Sequence, residues 1–253
     1  MEHHELKSFL DEKFEQYHGS SFLDSDPISI PHRFTEPKDI EISAFLTATI
    51  SWGKRIMIIK NADTLMSLMD YAPNDFVTHY SESDLKPFQS WCHRTFQFED
   101  LQYFLKALKR IYVEQESLEP LFFAKNDKNL YHGIHRFHES FFQFEPPSRT
   151  YKHVSDPYKG SAAKRLNMFL RWMVRPNNGG VDFGLWTTIK TSQLSCPLDV
   201  HTANVARKLG LLQRNQNDWK SVEQLDNALR AFDSNDPVKY DFALFGLGVF
   251  EGL

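Results

Sequence analysis

The chain has 253 residues, 41 % of them hydrophobic and 25 % charged, with a formal net charge of −4. That is the profile of a globular protein long enough to bury a sizeable core. It excludes one that coats nucleic acid indiscriminately, though not one with a local basic face. Two cysteines, Cys92 and Cys196, are too few for a disulfide framework, a four-cysteine zinc site or an iron–sulfur cluster.

The N-terminal Met1-Glu2-His3-His4-Glu5-Leu6-Lys7 lacks the apolar core of a signal peptide. No run approaches the roughly 20 apolar residues of a membrane span. The expectation is a cytoplasmic protein without membrane association, bound cofactor or obligate protein partner.

In chain order, the prolines of Asp26-Pro27-Ile28-Ser29-Ile30-Pro31-His32-Arg33-Phe34 predict an extended loop. From Lys38 to Met69 the apolar residues Ile42, Phe45, Leu46, Ile50, Ile58, Ala62 and Leu65 recur at helical spacing. The segment Trp52-Gly53-Lys54-Arg55 interrupts them, with Gly53 at the break. Further helices are predicted near Phe98–Ile111, Asn129–Phe142, Ser161–Arg175 and Val200–Leu209, and Asp233–Pro237 reads as a turn and helix start. No β-hairpin or internal repeat is visible. The fold class expected is all-α, divided as an N-terminal helix and loop over 1–37, a helical lobe over 38–145 and a second lobe over 146–253.

His132, His135 and His138 recur every third residue, with Glu139 beside them. Histidines at i, i+3 can share a metal, but the outer pair lie some 120° apart on an ideal helix. A metal-dependent enzyme therefore stands only as an alternative, and no metal ligand is assigned.

Charge is segregated. Between Arg149 and Arg175 seven basic residues face one acid, Asp156, a local +6 that leaves −10 elsewhere. In the predicted helix from Ser161, a residue type that caps N-termini, Leu166, Phe169, Leu170 and Met173 form the apolar stripe. Lys164, Arg171 and Arg175 are spaced to share the opposite face. This is either a solvated face or a phosphate-binding surface. Thirty-five positions after Lys164, Asp199 stands where an N-cap belongs, in Cys196-Pro197-Leu198-Asp199-Val200-His201, and Gly210 fits the C′ position of the helix that follows. A cap and a catalytic carboxylate are compatible, since amides that hold the aspartate favour its charged form.

The order of a basic hairpin and helix with lysine, then an apolar-x-Asp-x-His turn opening a helix, resembles the helix-hairpin-helix DNA glycosylase superfamily. The resemblance spans roughly Lys38 to Leu253. Ile40–Ile50 is similar to the early family helix leading to the groove-inserting loop. Leu198-Asp199-Val200-His201 with Val205–Leu211 is the closest match, and the last family helices are echoed by Val222–Leu225, Asp236-Pro237 and Phe245–Gly248. Lys159-Gly160-Ser161-Ala162-Ala163-Lys164 carries one glycine where the family hairpin has two, and Val200 stands for the usual Thr or Ser. The long lysine–aspartate gap looks like the archaeal 8-oxoguanine glycosylase branch. Over its whole length the chain also resembles a bacterial family known only as a domain of unknown function.

The resemblance implies a two-lobed, helix-hairpin-helix glycosylase-like fold and a base-excision-repair function on duplex DNA. Arg149, Gly160, Ser161, Arg165 and Arg171 would meet the phosphate backbone, and Trp52, Lys54 and Arg55 would lie on the groove-entering loop. His201, in the apolar-x-Asp-x-His turn, joins the DNA-binding set. Asp199 would stabilise the cationic sugar, and Lys164 would attack it to form a Schiff base. Such an amine must be neutral. An ordinary lysine is so about one time in a thousand near pH 7.4, and a three-unit drop in pKa requires about 4 kcal/mol. A non-catalytic nucleic-acid binder and a structural or protein-interaction domain remain as alternatives.

Overall fold

A computed structural model describes residues 2–253, with side chains other than those of Ser20, Ser21 and Asp24. Eleven α-helices occur among the described residues: α1 His3–Tyr17, α2 Pro37–Thr49, α3 Arg55–Leu68, α4 Pro73–His79, α5 Phe98–Glu114, α6 Glu119–Phe122, α7 Tyr131–Phe141, α8 Lys164–Val174, α9 Val200–Lys208, α10 Trp219–Phe232 and α11 Tyr240–Val249. Among the described residues only isolated bridges stand in for β-structure, His93 with Phe96 and Ser161 with Asp218. The fold is all-α.

The break between α2 and α3 falls where Gly53 takes a left-handed φ of +100°. Residues 27–33 depart from the expected extended loop. Pro27 and Pro31 each open a short 3-10 turn, Pro27–Ser29 and Pro31–Arg33, because a proline at the first helical position gives up an amide that has no partner there anyway. A second departure is at α8, which begins at Lys164 rather than at Ser161. Ala163 occupies its N-cap with φ +46°, and Ser161 Oγ accepts from the Ala163 amide at 3.2 Å.

The chain divides into two compact units. Unit 1 comprises Met1–Phe22, Phe123–His135 and Asp156–Leu253, and unit 2 comprises Leu23–Phe122 and Arg136–Ser155. Residues 2–22 thus group with the C-terminal half, since α1 packs along α11. There the Tyr17 ring lies so close to Gly246 that a Cβ would approach it to 2.1 Å.

In unit 2 the core is aromatic: Phe45 of α2 packs on Phe104 at 5.9 Å, Phe137 at 5.5 Å and Phe141 at 5.6 Å. Such rings dominate core energetics, each burial being equivalent to about 3–5 kcal/mol on truncation to alanine. The core of unit 1 holds Trp172, Phe169, Tyr240 and Phe242, all fully buried.

Candidate active site

In unit 1 the segment Asp156–Ala163 forms the approach to α8. Buried Asp156 accepts from the Tyr158 amide at 2.9 Å and starts the 3-10 turn Pro157–Lys159. Gly160 then takes φ +82°, a left-handed conformation that favours glycine. Its carbonyl accepts from the Trp219 amide at 3.1 Å. Lys159 and Gly160 are exposed at the tip, while Ser161 is half-buried.

The histidine row has a structural use here. The Tyr158 ring stacks on His135 with centroids 3.7 Å apart and planes 7° from parallel, and also packs against Tyr131 at 4.9 Å. His132 Nδ1 meets the Tyr158 hydroxyl at 2.6 Å, and His135 Nδ1 meets Asp156 Oδ1 at 3.1 Å. His132 and His135 therefore clamp the segment Asp156–Ala163. His138, considered within unit 2, faces the Val154 carbonyl at 2.9 Å.

Lys164 opens α8, half-buried. Its amine lies 3.8 Å from Met168 Sδ, one turn on, and forms no ion pair among the described residues. Asp199, also half-buried, is the N-cap of α9 and accepts from the Thr202 amide at 2.9 Å. Gly210 follows α9 in the expected left-handed conformation, φ +76°. Val200 and His201 are exposed beside Asp199, and Gly248 of α11 abuts His201 Cβ.

Asp241 stands on the first turn of α11. Desolvation pushes this buried carboxyl up to about 6. Arg171 opposes the shift, Asp199 reinforces it and Lys164 opposes it. Asp241 Oδ2 pairs directly with Arg171, and Oδ1 lies 3.7 Å from Cys196 Sγ, whose thiol is pushed well up by burial and by the carboxylates of Asp241 and Asp226.

Two basic residues of α8 are not where a surface reading puts them. Arg171, expected to contact phosphate, is 4 % exposed. It also bonds Asp182 at 3.3 Å and lies over the Phe242 ring at 4.3 Å. Arg175 is buried as well, held by Asp182 at 2.8 Å and Asp236 at 2.9 Å. The residues spaced along the helix face opposite the apolar stripe point into a second layer of the unit, where aspartates from the 182 loop, the 236 turn and α11 receive them. Arg165 is half-buried, and desolvation pulls its guanidinium down to about 10.

The remaining expected contacts lie in unit 2. Arg149 is engaged internally: it donates to Gln97 Oε1 at 2.6 Å and the Thr95 carbonyl at 2.7 Å, and pairs with buried Asp100 at 3.1 Å. Trp52 is half-buried, edge-on to His93 at 4.9 Å and stacked at 5.8 Å on His153. Lys54 is exposed at the N-cap of α3, and Arg55 reaches Ser25 Oγ at 3.3 Å. The first turn of α3 presents two apolar residues, Ile56 at 74 % and Met57 at 44 % exposure.

Asp241, Asp182 and Tyr158 escaped the sequence reading. Asp241 had a signal, as the lone charge heading the apolar run Phe242–Val249. Asp182 lies in a loop whose partners are set only by the tertiary fold.

A family model described as "Protein of unknown function (DUF2400)" matches residues 26–250. No curated protein and no solved structure matches the chain. The match takes in the segment Asp156–Ala163, Lys164, Asp199 and Asp241, and the chain belongs to the DUF2400 family.

Proposed function

We propose that the protein binds duplex DNA and acts as a DNA glycosylase with lyase capability, using Lys164 as nucleophile and Asp199 as electrostatic partner. The observation that supports this most is the state of Lys164. Its amine is half-buried and in no ion pair among the described residues, although it and Asp199 both act on Asp241. A lysine serving solubility sits in water, and one serving stability sits against a carboxylate.

In this reading the target base leaves the stack, because its glycosidic bond is inaccessible within the duplex. The neutral Lys164 amine forms a bond to the sugar carbon as the carbon–nitrogen bond to the base breaks, and the electron pair of that bond departs with the base. Asp199, held by the Thr202 amide, stabilises the positive charge that develops on the sugar. The attached nitrogen gives up a proton, which the departing base takes up. The ring carbon–oxygen bond then opens, its electron pair and a solvent proton going to the oxygen, and leaves the protonated Schiff base from which the strand is cleaved. No side chain caps α8, so its first-turn amides suit an anion such as a phosphate, next to exposed Lys159. In unit 2, exposed Lys54, Ile56 and Met57 suit a groove-entering loop with an apolar wedge.

A second reading, a binding module without chemistry, is favoured by the burial of Arg171 and Arg175, which removes two charges from the basic surface. Incubation with duplexes carrying an abasic site or 8-oxoguanine separates the two. Strand cleavage by the wild type, lost by at least 100-fold in Lys164→Gln and Asp199→Asn with binding retained, is the outcome expected. Salt-sensitive binding without cleavage sinks the lyase and leaves the binding module, and absence of both sinks the two readings together.

A further inference from the structure

Unit 2 holds a cavity of about 590 Å³, none of whose lining residues has a part in the proposed function. Small-molecule sites commonly measure roughly 300–1,000 Å³. The floor of the cavity is one face of α5. Glu99, Gln102, Tyr103, Lys106 and Lys109 line it, at i, i+3, i+4, i+7 and i+10, a spacing that keeps side chains on one side of a helix. Tyr80, in the turn that ends α4, supplies a wall.

Two carboxylates and two ammonium groups face this space, and they are not equivalently partnered. Glu99 lies 3.8 Å from the Arg149 guanidinium, and Glu82 accepts from Gln102 Nε2 at 3.4 Å. Lys106 and Lys109 meet no carboxylate among the described residues. Lys109 is half-buried: its amine donates to the Tyr80 carbonyl at 2.7 Å and stands 4.6 Å from the centre of the Tyr80 ring. Lys106 is exposed, 5.2 Å from the centre of the Phe144 ring. A lysine is seldom drawn out of water without a carboxylate. A carbonyl and a ring face hold the Lys109 ammonium in place but do not neutralise it. Residues three apart on a helix are neighbours, so the C-terminal end of the floor presents two positive charges side by side.

We propose that this cavity is a binding site for a phosphate monoester carried on a planar aromatic group. A phosphate monoester bears a charge of about −1.5 to −2 near neutral pH, which matches two ammonium groups, whereas a carboxylate leaves one unmatched. Lysine serves phosphate as a point charge. The planar group belongs against Tyr80, whose ring is half-buried and backed by Phe76 at 5.7 Å with planes 11° from parallel. Below it Tyr103 is buried, its hydroxyl donating to the carbonyls of Phe141 at 3.2 Å and Phe144 at 2.5 Å. Both rings are thus fixed before a ligand arrives, which lowers the cost of binding. The site stands whether or not Lys164 is a nucleophile.

The test uses phenyl phosphate as probe, titrated with the full chain at low salt without DNA and followed by its 31P resonance. Saturable binding is expected. Lys106→Gln and Lys109→Gln are each expected to weaken it at least ~5-fold by removing one of the two charges. Glu82→Gln, which takes a negative charge from the lining, is expected to tighten it. Lys86→Gln, a change at an exposed lysine of the same unit outside the cavity, is expected to leave it unaltered. Inorganic phosphate and benzoate, each lacking one half of the ligand, are expected to bind at least ~5-fold more weakly than phenyl phosphate.

Absence of saturable binding overturns the proposal, as does an equal loss in Lys86→Gln, which would show general attraction to a basic surface. Inorganic phosphate or benzoate binding as tightly as phenyl phosphate overturns the assigned ligand class. Lys106 is exposed, so Lys106→Gln carries the test should Lys109→Gln not fold, and unchanged affinity in Lys106→Gln contradicts the site.

Discussion

Ala163 holds a backbone conformation that L-residues avoid, with φ +46° at the N-cap of α8 and its side chain buried. Left-handed geometry costs about 1–2 kcal/mol for a residue with a Cβ. The second glycine of the resembled hairpin is absent from the sequence, and Ala163 carries a strained turn in the same segment. Ala163→Gly is expected to match or exceed the wild type in stability by up to about 1 kcal/mol, while Ala163→Val loses about 2 kcal/mol or more, both read from denaturant unfolding. A Val variant as stable as the wild type would show the strain to be absent. At the same scale, burial lifts Asp226 to about 6, against about 4 unfolded. Folding therefore takes up a proton between these values. The resulting stability is complete below about pH 4 and is lost as the pH rises through about 6. Asp226→Asn, which keeps an oxygen for the Cys196 amide, is expected to lower Tm less than the wild type does on going from pH 5 to pH 8; equal slopes would contradict it. Neither residue was legible beforehand, because a φ angle and a desolvated carboxyl are products of tertiary packing rather than of local pattern.

Among the elements, α2, α3 and α5 followed from their apolar spacing, with Gly53 in the break between α2 and α3, whereas the short helices α4 and α6 were not read. The start of α8 did not, since Ser161 has the chemistry of a cap but supplies its oxygen one residue too early, to Ala163. The same helix shows why a wheel misleads. A face opposite the apolar stripe need not face water, and that of α8 meets Asp182, Asp236 and Asp241. The hairpin clamp on Tyr158 is an element-scale device: Tyr158→Ala removes the His135 stack and the His132 hydrogen bond together. It is expected to weaken duplex binding about tenfold with a small change in Tm, whereas Tyr158→Phe keeps most of the affinity. Fluorescence anisotropy checks both, and unchanged affinity in Tyr158→Ala would separate the hairpin from binding. Between α1 and α11, Gly246 permits the close approach of Tyr17. Gly246→Ala is expected to cost about 1–3 kcal/mol by overpacking and to expose residues 3–17 to faster hydrogen exchange; unaltered exchange there would contradict the contact.

For the whole molecule, an all-α architecture was legible from periodicity, but the discontinuous units were not. Nothing in residues 2–22 announces that they belong with α11, where Gly246 leaves room for the ring of Tyr17, 229 positions earlier in the chain. Lys164 and Asp199 were proposed from the sequence as a pair, whereas the buried pairing of Arg171 with Asp241 was not legible, because Asp241 resembles an ordinary first-turn acid. No helix of the described residues is long and apolar enough to cross a membrane. Under the proposed function, duplex binding is expected to weaken as salt rises, because each phosphate contact releases counterions. The central claim, that Lys164 is an amine nucleophile, is tested most directly by borohydride trapping on a duplex with an abasic site, followed by peptide mapping of the adduct. The account predicts a covalent adduct on Lys164 that is absent in Lys164→Gln. An adduct on another residue, or none under conditions where the duplex is bound, would contradict it.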